Sequence, residues 1–418
     1  MFCLKWFNTP FIGKTEKLPV NDQPEGPIMD MPDLVMRKIM KNVDFITMLK
    51  LRKVCHAFQN FIDDTNLDNE LTKVNIKVTP STIYAYLNFA SASRKSVNLY
   101  YIRYGKNCLL KVIEGRLEEA KLMKNQDLVD AFFNDFGFIL RNQSKPLKKM
   151  NIETSSFDWY PEDYYDRDLL NSLKTTYSFY GCCTCTRPLK GFIEPVTHLK
   201  RINEMYTLKP TADTFHDRFD SILKSRKSPI PIQILDVTVL RPSHFMNMAR
   251  LIDVKQLKGI VIRKTPGYSE RKDGKQLVLN EIVELNGFEY IQELIISGFK
   301  VTAPLEKLLH IPHLTFSVST ITIEDVLLIR MVSETYHTVY LYLFFQNMLT
   351  SPTAKFRCVF YDHIKDADSL YDTLGYVNSN YIKLYAHFKL PESDQTLQIS
   401  MENYSYGNCF SFKWIKTS

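Results

Sequence analysis

The densest grouping of chemistry-bearing side chains in the 418-residue sequence is GCCTCTRP, which sets Cys182, Cys183 and Cys185 within four positions. Three thiols this close could hold a soft metal or run a redox cycle. Structural zinc sites, however, draw on ligand pairs at fixed separations, and no such His or Cys pair accompanies this trio. Free thiols in a loop are the better reading. His310 and His313 flank Pro312 beside a predicted strand, where core or loop positions suit them better than a ligand role. Glu118 and Glu119 could supply a general acid and base, but adjacent carboxylates more often mark a helix surface. A glycine-rich phosphate loop, an HExxH pair, a nucleophile elbow and a GxGxxG pattern are all missing. The sequence thus nominates no catalytic residue, no metal ligand and no cofactor site, and a metabolic enzyme is the least supported reading.

The charge balance, 53 basic against 46 acidic residues, leaves a net +7 spread along the chain rather than gathered in a tail. The densest basic runs are Arg141 to Lys149 and Lys255 to Lys275, the latter with Lys258, Arg263, Lys264, Arg271 and Lys272. Solvated faces explain them better than phosphate contacts, so nucleic acid is an unlikely partner; steep loss of binding with salt would be its fingerprint. The acidic, aromatic stretch from Phe157 to Asp168 reads as an exposed connection or an insertion, and whether 140–230 forms a separate subdomain stays open. Eight cysteines without framework spacing, and an opening without a signal-peptide core, point to a reducing compartment: the cytoplasm, or the nucleus. No run of eighteen apolar residues occurs, so no transmembrane helix is expected.

The elements that must position any site begin after a polar, Pro- and Gly-containing arm, residues 1–27. Pro32 suits a first helical position, where its missing N–H is harmless, and Asp33 complements the helix dipole. Asp44 can cap a second helix, and Leu51, Val54, Cys55, Phe58, Phe61 and Ile62 recur at the spacing of one buried helical stripe. From about residue 70 the texture turns to short alternating runs at 73–78, 96–102 and 148–154. A more regular set follows at 231–240, 257–262, 291–297, 313–319 and 338–345. Between Ile260, Leu294, Phe316 and Leu341 the steps are 34, 22 and 25 residues, close to a leucine-rich-type strand-and-helix unit. A helix is expected over 320–336, and a hairpin over 395–415 with its turn at Gly407-Asn408. The fold class is therefore α+β: a small three-helix unit, then an irregular leucine-rich-like α/β repeat closing with a β-hairpin. A plain α+β domain is the alternative.

Three helices in about 35 residues cannot stand alone. In the first, Leu34, Val35, Met36, Ile39, Met40 and Val43 span a band wider than one core-facing stripe needs, which implies two buried surfaces. Periodicity by itself assigns the second to the rest of the chain. The residues in order, however, resemble an F-box: Met-Pro-Asp at 31–33, Val35, Ile39-Met40, Val43-Asp44, Leu49, Leu51-Arg52, Val54-Cys55-His56, Phe58 and Phe61-Ile62-Asp63-Asp64. Met31 stands where the family usually has Leu, and Phe58 where many members have Trp; both keep an apolar contact.

The stretch from Ala303 to Ser333 and the ending HFKLPESDQTLQIS…FSFKWI are similar to the FTH domain. That domain follows the F-box in a nematode family of F-box proteins, the F-box A type. The resemblance implies an F-box at 28–70 and an FTH, leucine-rich-like substrate-binding region at 71–418, with its core match at 230–418. It implies a non-catalytic substrate receptor of an SCF-type E3 ubiquitin ligase. The F-box would bind a Skp-family adaptor, and through it a cullin scaffold, while the FTH domain held an unidentified protein substrate. Carried over by motif position, the adaptor-binding residues are Met31, Pro32, Leu34, Val35, Ile39, Met48, Leu49, Val54 and Cys55, with Cys55 serving as a small buried hydrophobe. A non-catalytic binding module acting outside the ligase is the alternative.

Overall fold

The computed structural model describes residues 31–40, 43, 45–52, 54–65, 71–90, 96–115, 117–155, 208–266, 276–285, 287–331, 356–375, 383–389, 395–404 and 407–416. The expectations placed on 1–27, Asp44, Phe157 to Asp168, the thiols of Cys182, Cys183 and Cys185, Arg271, Lys272 and the run 338–345 lie outside the described residues. The chain divides into two compact units, Met1–Leu67 and Asp68–Ser418.

The first unit holds α1 (Asp33–Met40), α2 (Phe45–Arg52) and α3 (His56–Asp64). The Pro32 carbonyl accepts from Val35 N at 2.8 Å and Met36 N at 3.2 Å, so Pro32 caps α1 from just outside rather than occupying its first helical position. Asp33 in the first turn, and Arg37 and Lys38 in the last, complement the helix dipole.

The second unit is dominated by one sheet, 15-stranded among the described residues. It opens with an antiparallel meander of β1 (Leu71–Val78), β2 (Thr82–Phe89), β3 (Val97–Tyr104), β4 (Asn107–Glu114) and β5 (Leu117–Met123). Beyond β1 the strands run parallel, each beside its predecessor: β6 (Lys149–Thr154), β8 (Ile234–Val239), β10 (Gly259–Lys264), β12 (Glu293–Thr302), β13 (His313–Ile321) and β14 (Phe356–Ile364). Short pieces β7 (Ile230–Pro231) and β9 (Ile252–Asp253) pair with each other, and β11 (Gln276–Val278) pairs with β12. The far edge is antiparallel again, with β17 (Gly407–Lys416) on β14, β16 (Gln395–Tyr404) on β17, and β15 (Lys383–Lys389) outermost.

Register ties the parallel strands into one apolar row. Val74, Met150, Leu235, Ile260, Leu294 and Leu314 stand side by side across six strands, all buried. The 34-residue step from Ile260 to Leu294 is therefore a true register step. The next partner is Leu314, not Phe316, and the step shortens to 20 residues. HLTFSVS alternates regularly, so its own pattern does not say which apolar residue meets Leu294. The row continues into β14 at Arg357, whose buried guanidinium donates to the Leu309 carbonyl at 3.0 Å.

Helices cover one side of this sheet. α4 (Leu128–Asn142) is capped by the Asp127 carboxylate, which accepts from Val129 N at 2.8 Å, and it packs on β2, β3 and β4. Its Phe132 meets Tyr101 of β3 edge to face at 5.4 Å. α5 (Leu208–Lys224) packs on α4 through Phe215 and Phe219, and α6 (Pro242–Ala249) packs on both α5 and β8. Smaller helices follow: α7 (Asn280–Val283), α8 (323–331) and α9 (Ala367–Leu374). Thr322 and Asp325 cap α8 reciprocally, Asp325 N to Thr322 Oγ1 at 3.1 Å and Thr322 N to Asp325 Oδ2 at 2.9 Å.

Three local expectations change. Glu118 and Glu119 lie on the edge strand β5, not on a helix, and Glu118 pairs with Lys111 at 2.5 Å. Charges there oppose further edge pairing. Strands β2 and β4 lie outside the alternating runs at 73–78, 96–102 and 148–154, and form because TIYAYLNF and NCLLKVIE carry the β-branched and aromatic residues that suit a pleated surface. Gly407 and Asn408 begin β17 opposite Tyr404 and Asn403, so the hairpin turn falls before them.

Candidate functional site

α1 presents two faces. Met36 and Met40, one turn apart, are buried at 2% exposure each, whereas Val35 and Ile39, also one turn apart, are exposed. Leu34 is 79% exposed, an unusual position for a leucine with nothing to cover it. Met31 and Val54 are exposed as well. These five make up half of the large apolar side chains exposed among the described residues, within a segment of 24 residues. Scattered apolar residues need no explanation, but a concentration of this kind marks an interaction surface.

The segment after α2 is held by backbone and side-chain capping. Val54 N donates to the Leu51 carbonyl at 3.0 Å, closing the turn. Cys55 is extended (φ −156°, ψ 164°) and its Sγ accepts from Phe58 N at 3.5 Å, capping α3. Thr65 ends α3 by donating its N–H to the Phe61 carbonyl at 3.1 Å. Arg52 of α2 clasps Asp63 of α3, Nε to Oδ1 at 2.6 Å and Nη2 to Oδ2 at 2.9 Å.

Of the nine residues named from the sequence, the structure exposes Met31, Pro32, Leu34, Val35, Ile39, Val54 and Cys55. Met48 (5%) and Leu49 (8%) are buried and form no part of that surface. Their helix, FITMLKLR, is apolar around most of its circumference, so its pattern gives no direction for an outward face. Cys55 is exposed and acts as a helix cap rather than a buried hydrophobe.

Elsewhere the basic runs are partly committed to structure. Arg263 on β10 pairs with the buried Asp236 of β8, and Lys149 on β6 reaches the same carboxylate at 3.0 Å. The His310 ring approaches the Phe288 carbonyl at 3.2 Å, and His313 begins β13. Among the described residues no helix is long and apolar enough to cross a membrane.

Residues 28–70 match the family model of the F-box domain, the segment that carries the exposed apolar face. A second model, the FTH domain, matches residues 213–356. That span starts within α5 and stops at the first residue of β14, so the C-terminal strands β15, β16 and β17 lie outside it. The chain thus carries an F-box domain and an FTH domain, a pairing typical of non-catalytic adaptor proteins. F-box domains generally bind Skp-type adaptors in SCF complexes, which suggests a substrate-adaptor role. No curated protein and no solved structure matches the chain.

Proposed function

We propose that this chain is a substrate-recognition subunit of an SCF-type E3 ubiquitin ligase, of the nematode F-box A type. The exposed apolar face of α1, built from Leu34, Val35 and Ile39 within the F-box match, is the observation that carries the reading. Met31, Pro32, Val54 and Cys55 extend the same surface for a Skp-family adaptor, which ties the chain to a cullin. Met48 and Leu49, being buried, support the helices and do not touch the adaptor. The FTH domain holds the protein to be ubiquitinated. Six parallel strands from β6 to β14, the first five of them sharing an apolar row, support a leucine-rich-like scaffold for that task. The chain performs no chemistry: held on one scaffold with the charged ubiquitin-conjugating enzyme, a bound target meets it at high effective concentration. The complex works in the cytoplasm or nucleus.

The test is equilibrium binding of a purified Skp-family adaptor to the full chain and to a Val35→Asp, Ile39→Asp variant whose fold is checked by circular dichroism. A hot spot of about 2 kcal/mol corresponds to roughly 30-fold weaker binding in the variant. A folded wild-type chain that binds no adaptor, or a variant that binds equally well, would refute the proposal.

A further inference from the structure

The seam between α5 and α6 buries two histidines that the adaptor reading does not use. His216 of α5 and His244 of α6 stack at 4.2 Å between ring centroids with 25° between planes, each only 6% exposed. His244 Nε2 lies 3.1 Å from Asp213 Oδ1, and the Arg241 guanidinium meets the same oxygen at 2.5 Å. Lys209 holds the other oxygen of Asp213 at 2.9 Å. The same Nε2 also lies 3.3 Å from Arg241 Nη2, and the other ring nitrogen of His244 is Nδ1. That Nδ1 and the Nε2 of His216 are both buried without a hydrogen-bond partner. A small cavity of about 10 Å³ is lined by both rings together with Asp217, Asp220 and Asn247.

We propose that the stacked His216–His244 pair makes the α5–α6 seam an acid-sensitive joint, closed while both rings are neutral and opened when either takes a proton. A proton placed on one ring sits against the other ring and close to Arg241, in a site with almost no water to screen it. The groups facing the pair come from both helices. On the α5 side Asp213 is neutralised by Arg241 and Lys209, and Asp220 is neutralised by Lys224 at 2.5 Å. Asp213 first, and then Asp217, favour protonation of His244, but burial and Arg241 act more strongly against it. For His216 burial comes first, then His244 and Arg241, and its proton affinity falls well below the ordinary value of 6.5. β11, which also packs on α6, reads Gln-Leu-Val and adds no charge.

The sign follows from proton linkage. A histidine whose folded pKa is depressed binds more protons when the seam is open, so stability is full above 6.5 and falls as pH drops below it. Asp213 is shifted down and stays ionised through that window, so its own loss belongs to more acid pH.

Hydrogen exchange of the full chain at pH 7.5 and 5.0, corrected for intrinsic rates, tests the joint independently of adaptor binding. Protection across α5 and α6 is expected to fall by up to about tenfold per pH unit below 6.5 for each histidine, while β2 keeps its protection. A His216→Phe, His244→Phe variant, which keeps the aromatic stack, is expected to lose the pH dependence. Equal protection at both pH values, an equal loss in β2, or a folded variant that keeps the dependence would overturn the proposal. Should the variant not fold, NMR titration of the wild-type imidazoles decides: protonation near 6.5 overturns it, and protonation only well below 6.5 supports it.

Discussion

Arg52 and Asp63 join α2 to α3 by two parallel hydrogen bonds, a bidentate pairing whose arginine side chain is 12% exposed and whose aspartate is 34% exposed. Fork-to-carboxylate geometry fixes direction as well as distance, so the pair sets the angle at which α3 leaves the turn at Val54 and Cys55. Asp63→Asn, which keeps the shape and removes the charge, is expected to destabilise the helical unit by about 1–2 kcal/mol. A double-mutant cycle with Arg52→Met, read by hydrogen exchange of α2 and α3, measures the coupling. Coupling near zero would mean that the bridge follows the helix packing rather than setting it.

How far the site could be read from sequence depended on whether a helix had a polar side. In α1 the apolar band was visibly too wide, and Leu34, Val35 and Ile39 are indeed exposed while Met36 and Met40 are not. In α2 the apolar residues surround the axis, so nothing in their spacing placed Met48 and Leu49 inside. The sheet shows the same division. Ile260 and Leu294 pair as their spacing indicates because each sits within a short apolar strand, whereas Leu314 and Phe316, two positions apart, fit the same alternation equally well. The histidine pair had no local signal: His216 and His244 sit in separate helices 28 residues apart, and only the packing of α5 on α6 stacks them.

Thiol chemistry separates the exposed Cys55 from three buried cysteines. Burial pushes the Cys108 thiol up to about 12, and contact with Cys409, followed by burial, pushes Cys358 well above the ordinary thiol value. The thiolate is the reactive form, so at pH 8 about one Cys108 in ten thousand is ready to react, even before access is considered. Iodoacetamide at pH 8 is therefore expected to alkylate Cys55 well before Cys108, Cys358 or Cys409, as read by peptide mass spectrometry of the native chain. Alkylation of Cys108 at the Cys55 rate would show that β4 opens in solution. Protection of Cys55 by bound adaptor is the further outcome that the proposed interface requires.

Gly298 changes which residues of β12 face the core. Before it, Leu294 and Ile296 are buried at even positions; Ser297 and Gly298 are then both exposed, and Phe299 and Val301 are buried at odd positions. Three extra residues on β12 thus flip the alternation, since Ile295 pairs with Thr315 but Lys300 already pairs with Ser317. Gly298 does this at φ +81°, in the left-handed region, and a Cβ built there would stand 2.6 Å from the Lys264 Cβ on β10. That atom is fixed to the backbone and cannot swing aside. Gly298→Ala therefore carries a backbone term of about 1–2 kcal/mol plus a clash, together about 2–4 kcal/mol. Gly105 is the control, with φ +59° and nothing within 4 Å of its built Cβ, so Gly105→Ala carries the backbone term alone. Urea midpoints of the two variants are expected to differ in that order. Equal midpoints would mean that β12 relaxes around Lys264, and that Phe299 is held on the core face by its own burial rather than by the bulge.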